Sequence, residues 1–152
     1  MAPIGAPHLG MVNRLNRLLV TLLAGCAVAP VRNPVRLGGG PEPDLAVLEP
    51  QADAYETATP RPFDVLLLVE VSDSTLRDDR DSKIPLYAER GASECWLVDI
   101  AGRTAEVFRQ PQGGRYARVR HVGPEGTLDI AVPPGASLAA GDLFRPARSQ
   151  VL

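Results

Sequence analysis

Two rhythms of apolar residues run along this chain. Leu15, Leu18, Leu19, Leu22 and Leu23 recur at helical spacing, with Asn13, Arg14, Asn16, Arg17 and Thr21 between them. That pattern predicts an amphipathic helix, closed by Gly25. After it, "CAVAPVRNPVRL" alternates apolar and polar positions and predicts a strand pair or a bent strand. "GGGPEP" is a turn-rich loop, and "DLAVLEP" is a short strand opening at Asp44. Residues 51–62 are polar, carry Pro60 and Pro62, and form an exposed connection. "VLLLVEVS" is a near-continuous apolar run, the pattern of a strand covered on both faces. A helix is predicted over 79–90, with Asp79 or Asp81 near its start, Pro85 in its first turn or two, and Gly91 at its end. "SECWLVDI", "TAEVFRQ", "RYARVRHV" and "TLDIAV" follow as four strands separated by "AG", "PQGG" and "GPEG" turns. "PPGASLAAGDLF" closes as loop and docked apolar tail. Helix, strands, helix, strands implies an α/β fold, a mixed sheet with helices against it.

Length and charge narrow the function. The 152 residues predict one domain, 1–152, with 145–152 as a flexible tail. A net charge of −2 argues against holding nucleic acid mainly through a basic surface. It leaves open an enzyme that meets nucleic acid through a metal and a local arginine patch. Cys26 and Cys95 have neither a CxxC partner nor a histidine at zinc spacing, so two reduced thiols in a cytoplasmic protein are expected. "NRLNRLLVTLLAGCAVA" has a rival reading as a lipoprotein signal with Cys26 lipidated, although its apolar run is at the short limit for export and cannot span a membrane.

Chemistry concentrates around "VLLLVEVSDSTLRDDRDSK". Glu70 interrupts the most apolar strand, and burying an ionised carboxylate there costs several kcal/mol unless it is compensated. The compensation is an arginine, a bound cation for which Glu70 is a ligand, or solvent at a frayed strand end. Magnesium is often held by one or two carboxylates plus phosphate, which makes Asp44 a second candidate ligand beside its plainer reading as a turn residue after proline. Lys83 is the single lysine in a chain with fifteen arginines. It can orient an attacking water and offset charge on phosphoryl oxygens, or serve only as the i, i+4 partner of Asp79 on an exposed helix face. Asp73, Asp78 and Asp81 read as loop and helix-start residues.

"PEPDLAVL", then "LLLVEVSDSTLRDDRDSKIPLYAERGASECWLVDI", then "TAEVFRQPQGGRY" resembles the Uma-two family of endonucleases, in the PD-(D/E)XK superfamily with a restriction-endonuclease-like fold. "PIGAPHLGMVNRLNRLL" and "VRNPVRL" fit the same family, so the likeness runs from about Pro3 to Phe144. It implies a mixed central sheet flanked by helices and magnesium-dependent (or manganese-dependent) hydrolysis of nucleic-acid phosphodiester bonds. Asp44 and Glu70 would hold the metal, with the Val71 backbone carbonyl nearby. Ser72 stands where E-x-K usually has lysine; Lys83, on the following helix, would take that role, with Asp79 capping the helix and holding it. Tyr87 and Trp96 would be packing residues. His8 would sit at the rim or, in the plainer reading, be a polar residue before the helix. Arg32, Arg36 and Arg77 would contact phosphates. Nucleic acid, DNA ahead of RNA, is the expected partner, with no membrane and with a homodimer compatible. The alternative is a degenerate nuclease-fold module that binds nucleic acid or protein without cleavage. Family members usually begin earlier with an acidic "ELIDGE"-like motif lacking here, so a shortened N-terminus with an incomplete sheet edge is expected to lower stability and activity. Because "VNRLNRLL" serves as the family's first helix, the resemblance favours the helix over the signal.

Overall fold

The structure, a computed structural model, describes residues 5–24, 27–29, 42–58, 60–131 and 134–144. Helix α1 (Ala6–Leu22) starts after Gly5 with Pro7 in its first turn, where the missing N–H costs nothing, and it buries Met11, Val12, Leu15 and Leu19. Strands β1 (Ala27–Ala29), β2 (Leu45–Leu48), β3 (Val65–Ser72), β4 (Glu94–Asp99), β5 (Thr104–Gln112) and β6 (Arg115–Val122) form one sheet in that order. All neighbours are antiparallel except β3 and β4, which are parallel. A parallel pair needs a crossover. Here it is a helical segment made of α2 (Leu76–Asp78), a π-helical stretch (Asp79–Lys83) and α3 (Ile84–Glu89). A separate hairpin, β7 (Thr127–Asp129) with β8 (Ser137–Ala139), leads into α4 (Ala140–Phe144).

The two faces of the sheet carry different cores. On one, α1, the β7–β8 hairpin and α4 pack Leu15, Leu19, Leu128, Leu143 and Phe144 against Leu67, Val69, Val71, Trp96 and Val98. On the other, Ile84, Tyr87 and Ala88 of the crossover meet Leu68, Cys95, Leu97 and Phe108. Strand period two makes this division: alternate residues of β3 serve opposite cores, so the continuous apolar run needs both coverings. The β5–β6 hairpin turns on Gly113 and Gly114, both at positive φ (58° and 79°), the two-residue turn that matches sheet twist.

The mixed sheet flanked by helices agrees with the sequence reading. Three local expectations differ. The crossover helix begins at Leu76, not Asp79, and Pro85 lies well inside it. Proline lacks an N–H, and the π-helical stretch immediately before it changes the hydrogen-bond ladder where that donor is missing. The "PPGASLAAGDLF" segment contains β8 and α4 rather than loop alone. The last predicted strand is shorter and pairs outside the main sheet, because Leu128 turns into the α1-side core. The expectations for Gly25, Cys26, Arg32, Arg36 and the 145–152 tail lie outside the described residues.

Candidate active site

Antiparallel register brings Leu45 opposite Val69, so Asp44, one residue before β2, stands beside Glu70 on the crossover face. The Asp44 carboxylate is tied to this place. Its Oδ2 accepts from the Val71 backbone N–H at 2.7 Å, and its Oδ1 lies 3.2 Å from His8 Nε2. Glu70 is fully buried within β3, which removes the frayed-end reading. Tyr87 donates its hydroxyl to Glu70 Oε1, and Lys83 donates to Oε2 at 3.3 Å. Lys83 also lies 3.0 Å from Asp79 Oδ1. The other Asp79 oxygen accepts from the Ser72 hydroxyl and, at 2.8 Å, from the Thr75 hydroxyl.

The electrostatics follow from this crowding. Burial, and then the negative charge of Asp44, push Glu70 up to about 8, against the pull of Lys83 and Tyr87. Burial alone would lower the Lys83 ammonium, but Glu70 and Asp79 outweigh it and the net shift is upward. The Tyr87 phenol is pushed well above its ordinary range by burial and by Glu70, so it stays a donor.

Asp44, Glu70 and Lys83 therefore converge. Two expected roles are corrected. Asp79 does not cap the helix: Thr75 holds the N-cap position with no side-chain cap, and Asp79 points inward, where it orients Lys83 and ties down Ser72. Tyr87 is more than a packing residue, because its hydroxyl binds Glu70. His8 lies in the first turn of α1 rather than before it, is partly buried, and contacts Asp44. Trp96 is a core residue whose indole donates to Glu94. Cys95 is buried and its thiol is pushed up, so it packs as a hydrophobe. Arg77, Asp73, Asp78 and Asp81 are exposed.

The sequence matches the profile of the Uma2 family, described as "Putative restriction endonuclease", over residues 1–141. The chain belongs to the Uma2 family. A solved structure described as "a putative nuclease belonging to DUF820", from Anabaena variabilis, aligns with a TM-score of 0.70 at 17% identity, covering 95% of this chain and 83% of that one. At that identity the likeness establishes the fold. Among curated proteins the search found no match. The Uma2 assignment points to a nuclease acting on nucleic acid. No helix among the described residues is long and apolar enough to cross a membrane.

The donor set of this Uma2 chain suits a hard divalent cation. Two carboxylates stand side by side, and the charge of one resists ionisation of the other, which a cation would relieve. Among the described residues, no group of three or more His, Cys, Asp or Glu side chains is placed to hold a metal ion.

Proposed function

We propose that this chain is a magnesium-dependent endonuclease that hydrolyses phosphodiester bonds in DNA, with manganese able to replace magnesium. The reading is carried by one observation: Asp44 and Glu70 meet side by side on the face where Lys83 is held between Glu70 and Asp79. Asp44, Glu70 and the Val71 backbone carbonyl would hold the ion. When bound, the ion supplies Lewis acidity toward a phosphoryl oxygen and toward water.

The remaining work falls to side chains. Lys83, with its affinity for protons raised, remains a cation at neutral pH and does not serve as the base. Its role is to face the charge that builds on the phosphoryl oxygens and to orient the nucleophile. Asp79 keeps the ammonium in place, and its own hydrogen bonds from Ser72 and Thr75 fix its rotamer. Lys83 thus supplies from the crossover the charge that Ser72 cannot provide. Tyr87 fixes one oxygen of Glu70 by donation, and His8 with the Val71 amide fixes Asp44. Preorganisation of this kind lowers the barrier because the groups need not reorient as charge develops.

The test is cleavage of plasmid and single-stranded DNA by the full chain with magnesium, beside a control nuclease. Cleavage that EDTA stops and Glu70→Gln abolishes is expected. No cleavage where the control cuts, or equal cleavage by Glu70→Gln, overturns the reading.

A further inference from the structure

Glu70, Leu97, Glu106 and His121 stand directly opposite one another on β3, β4, β5 and β6, so they form one row across the crossover face. Glu106 is a second buried carboxylate in that row, 7% exposed. Burying a carboxylate is costly, and a hydrophobic residue like its neighbour Leu97 would fill the place without that penalty. Its Oε1 accepts from Arg80 Nε at 2.8 Å and also from Arg80 Nη2. Its Oε2 lies 3.8 Å from Nδ1 of His121, which is exposed. Arg80 itself is 45% exposed. A guanidinium has five N–H donors in a rigid fork. With Nε and Nη2 turned to Glu106, part of the fork remains for a ligand.

We infer that Arg80, oriented by Glu106 and flanked by His121, is a binding subsite for a backbone phosphate of the nucleic acid, separate from the scissile phosphate. The inference rests on the nuclease reading of the Asp44–Glu70–Lys83 site and extends it. Arg80 and Lys83 lie three residues apart in the same π-helical stretch, so one element brings one cation to Glu106 and another to Glu70. β3 and β5 are two strand spacings apart, about 10 Å at ~4.8 Å each. The overall charge of the chain is −2, and exposed Asp78 and Asp81 flank Arg80, so net charge alone does not draw the polyanion to this place. A fixed arginine suits the task, because guanidinium binds phosphate with geometric selectivity. Glu106 is a positioning residue: it acts on the substrate only through Arg80.

The experiment measures binding of a labelled single-stranded DNA to the full chain in EDTA, which prevents cutting, across a range of salt. For Arg80→Ala we expect the Kd to rise about tenfold and the slope of log K against log salt to fall by about one. Arg80→Lys, which keeps the charge and loses the fork, should fall between. Glu106→Gln should weaken binding in the wild-type background and have no further effect when combined with Arg80→Ala. A purely structural Glu106 would lower the melting temperature and leave that coupling at zero. Unchanged affinity in Arg80→Ala and Arg80→Lys, with wild type binding and cutting normally, overturns this inference alone. A wild-type chain that neither binds nor cuts DNA overturns it together with the nuclease reading.

Discussion

Replacing Glu70 by glutamine removes one charge from a fully buried position while preserving shape and the ability to accept from Tyr87. In the metal-free protein Glu70 titrates at about 8 rather than at its ordinary 4.5, chiefly because of burial and then Asp44. The folded state therefore holds this proton more tightly than the unfolded chain does. The associated stability is fully present below pH 4.5 and is lost as pH rises toward and through about 8. At about 1.36 kcal/mol per unit the shift sets a ceiling on the order of 5 kcal/mol. The pull of Lys83 and Tyr87 toward the ionised form is already contained in that shift. Glu70→Gln has no such proton. Lys83 loses one partner but keeps Asp79. The variant should match wild type at the acid end and become the more stable of the two at the alkaline end. Urea unfolding of both proteins in EDTA, at several pH values between those limits, gives the difference curve, in which every titration uncoupled from Glu70 cancels. Parallel curves, or a variant that grows less stable than wild type with rising pH, would refute the argument. Magnesium should then reverse the alkaline ordering by stabilising wild type alone.

Magnesium binding, followed by calorimetry, should tighten with pH up to about 8, by at most about tenfold per pH unit, because the ion competes with the Glu70 proton; a flat profile would count against Glu70 as a ligand. Lys83→Met should lower kcat by roughly a hundredfold or more with a smaller change in KM, the mark of a group acting in the transition state; an effect confined to KM would contradict that role. Arg109→Ala strips Glu94 of its guanidinium partner at a buried site that also serves Trp96 and the Ala131 amide, and should cost about 3–5 kcal/mol in urea unfolding; a loss below about 1 kcal/mol would show that the site is wet. Leu15→Ala empties a fully buried position between α1 and the sheet and should cost about 3–5 kcal/mol, a result that a peripheral or removable helix would not give.

The main outline was legible because period is a property of the sequence. The Leu15–Leu23 spacing marks α1, and the unbroken run in β3 marks a strand covered on both faces. Asp44 and Glu70 were legible as well, one opening a strand and the other breaking an apolar run. What stayed hidden was contact across elements. Tyr87 read as packing because nothing in "IPLYAE" shows that its hydroxyl meets a carboxylate on β3. His8 depends on where the start of α1 ends up relative to β2, which no local pattern encodes. Pro85 misled the placement of the helix start: proline is expected early in a helix, and the π-helical stretch that accommodates it has no simple sequence signature. β8 and α4 were missed because Ala139, Ala140 and Gly141 carry little periodic information.

The distribution of buried polar groups separates what holds the fold together from what the site requires. The α1-side core is made of apolar residues, Trp96 and Phe144 among them, and its buried acid, Glu94, lies at the first residue of β4, paired with Arg109. The crossover-side core is interrupted by Glu70, Ser72, Asp79 and Glu106. Each is compensated by a neighbour, but compensation returns only part of the desolvation cost, and apolar replacement of a whole interacting set at equal volume is often as stable or more so. A fold selected for stability alone would have no reason to load one face in this way. Glu70 and Glu106 share a row of the sheet, Ser72 lies two residues along β3, and Asp79 is on the helical segment that covers them, so changes there should trade stability against activity. Apolar replacement of Glu70 together with its partners Tyr87 and Lys83 should hold or raise stability and abolish the proposed chemistry, whereas truncation on the α1 side should lower stability and leave the metal affinity of the remaining folded molecules unchanged. The opposite pattern would mean that the acids of the crossover face serve the fold and not a site.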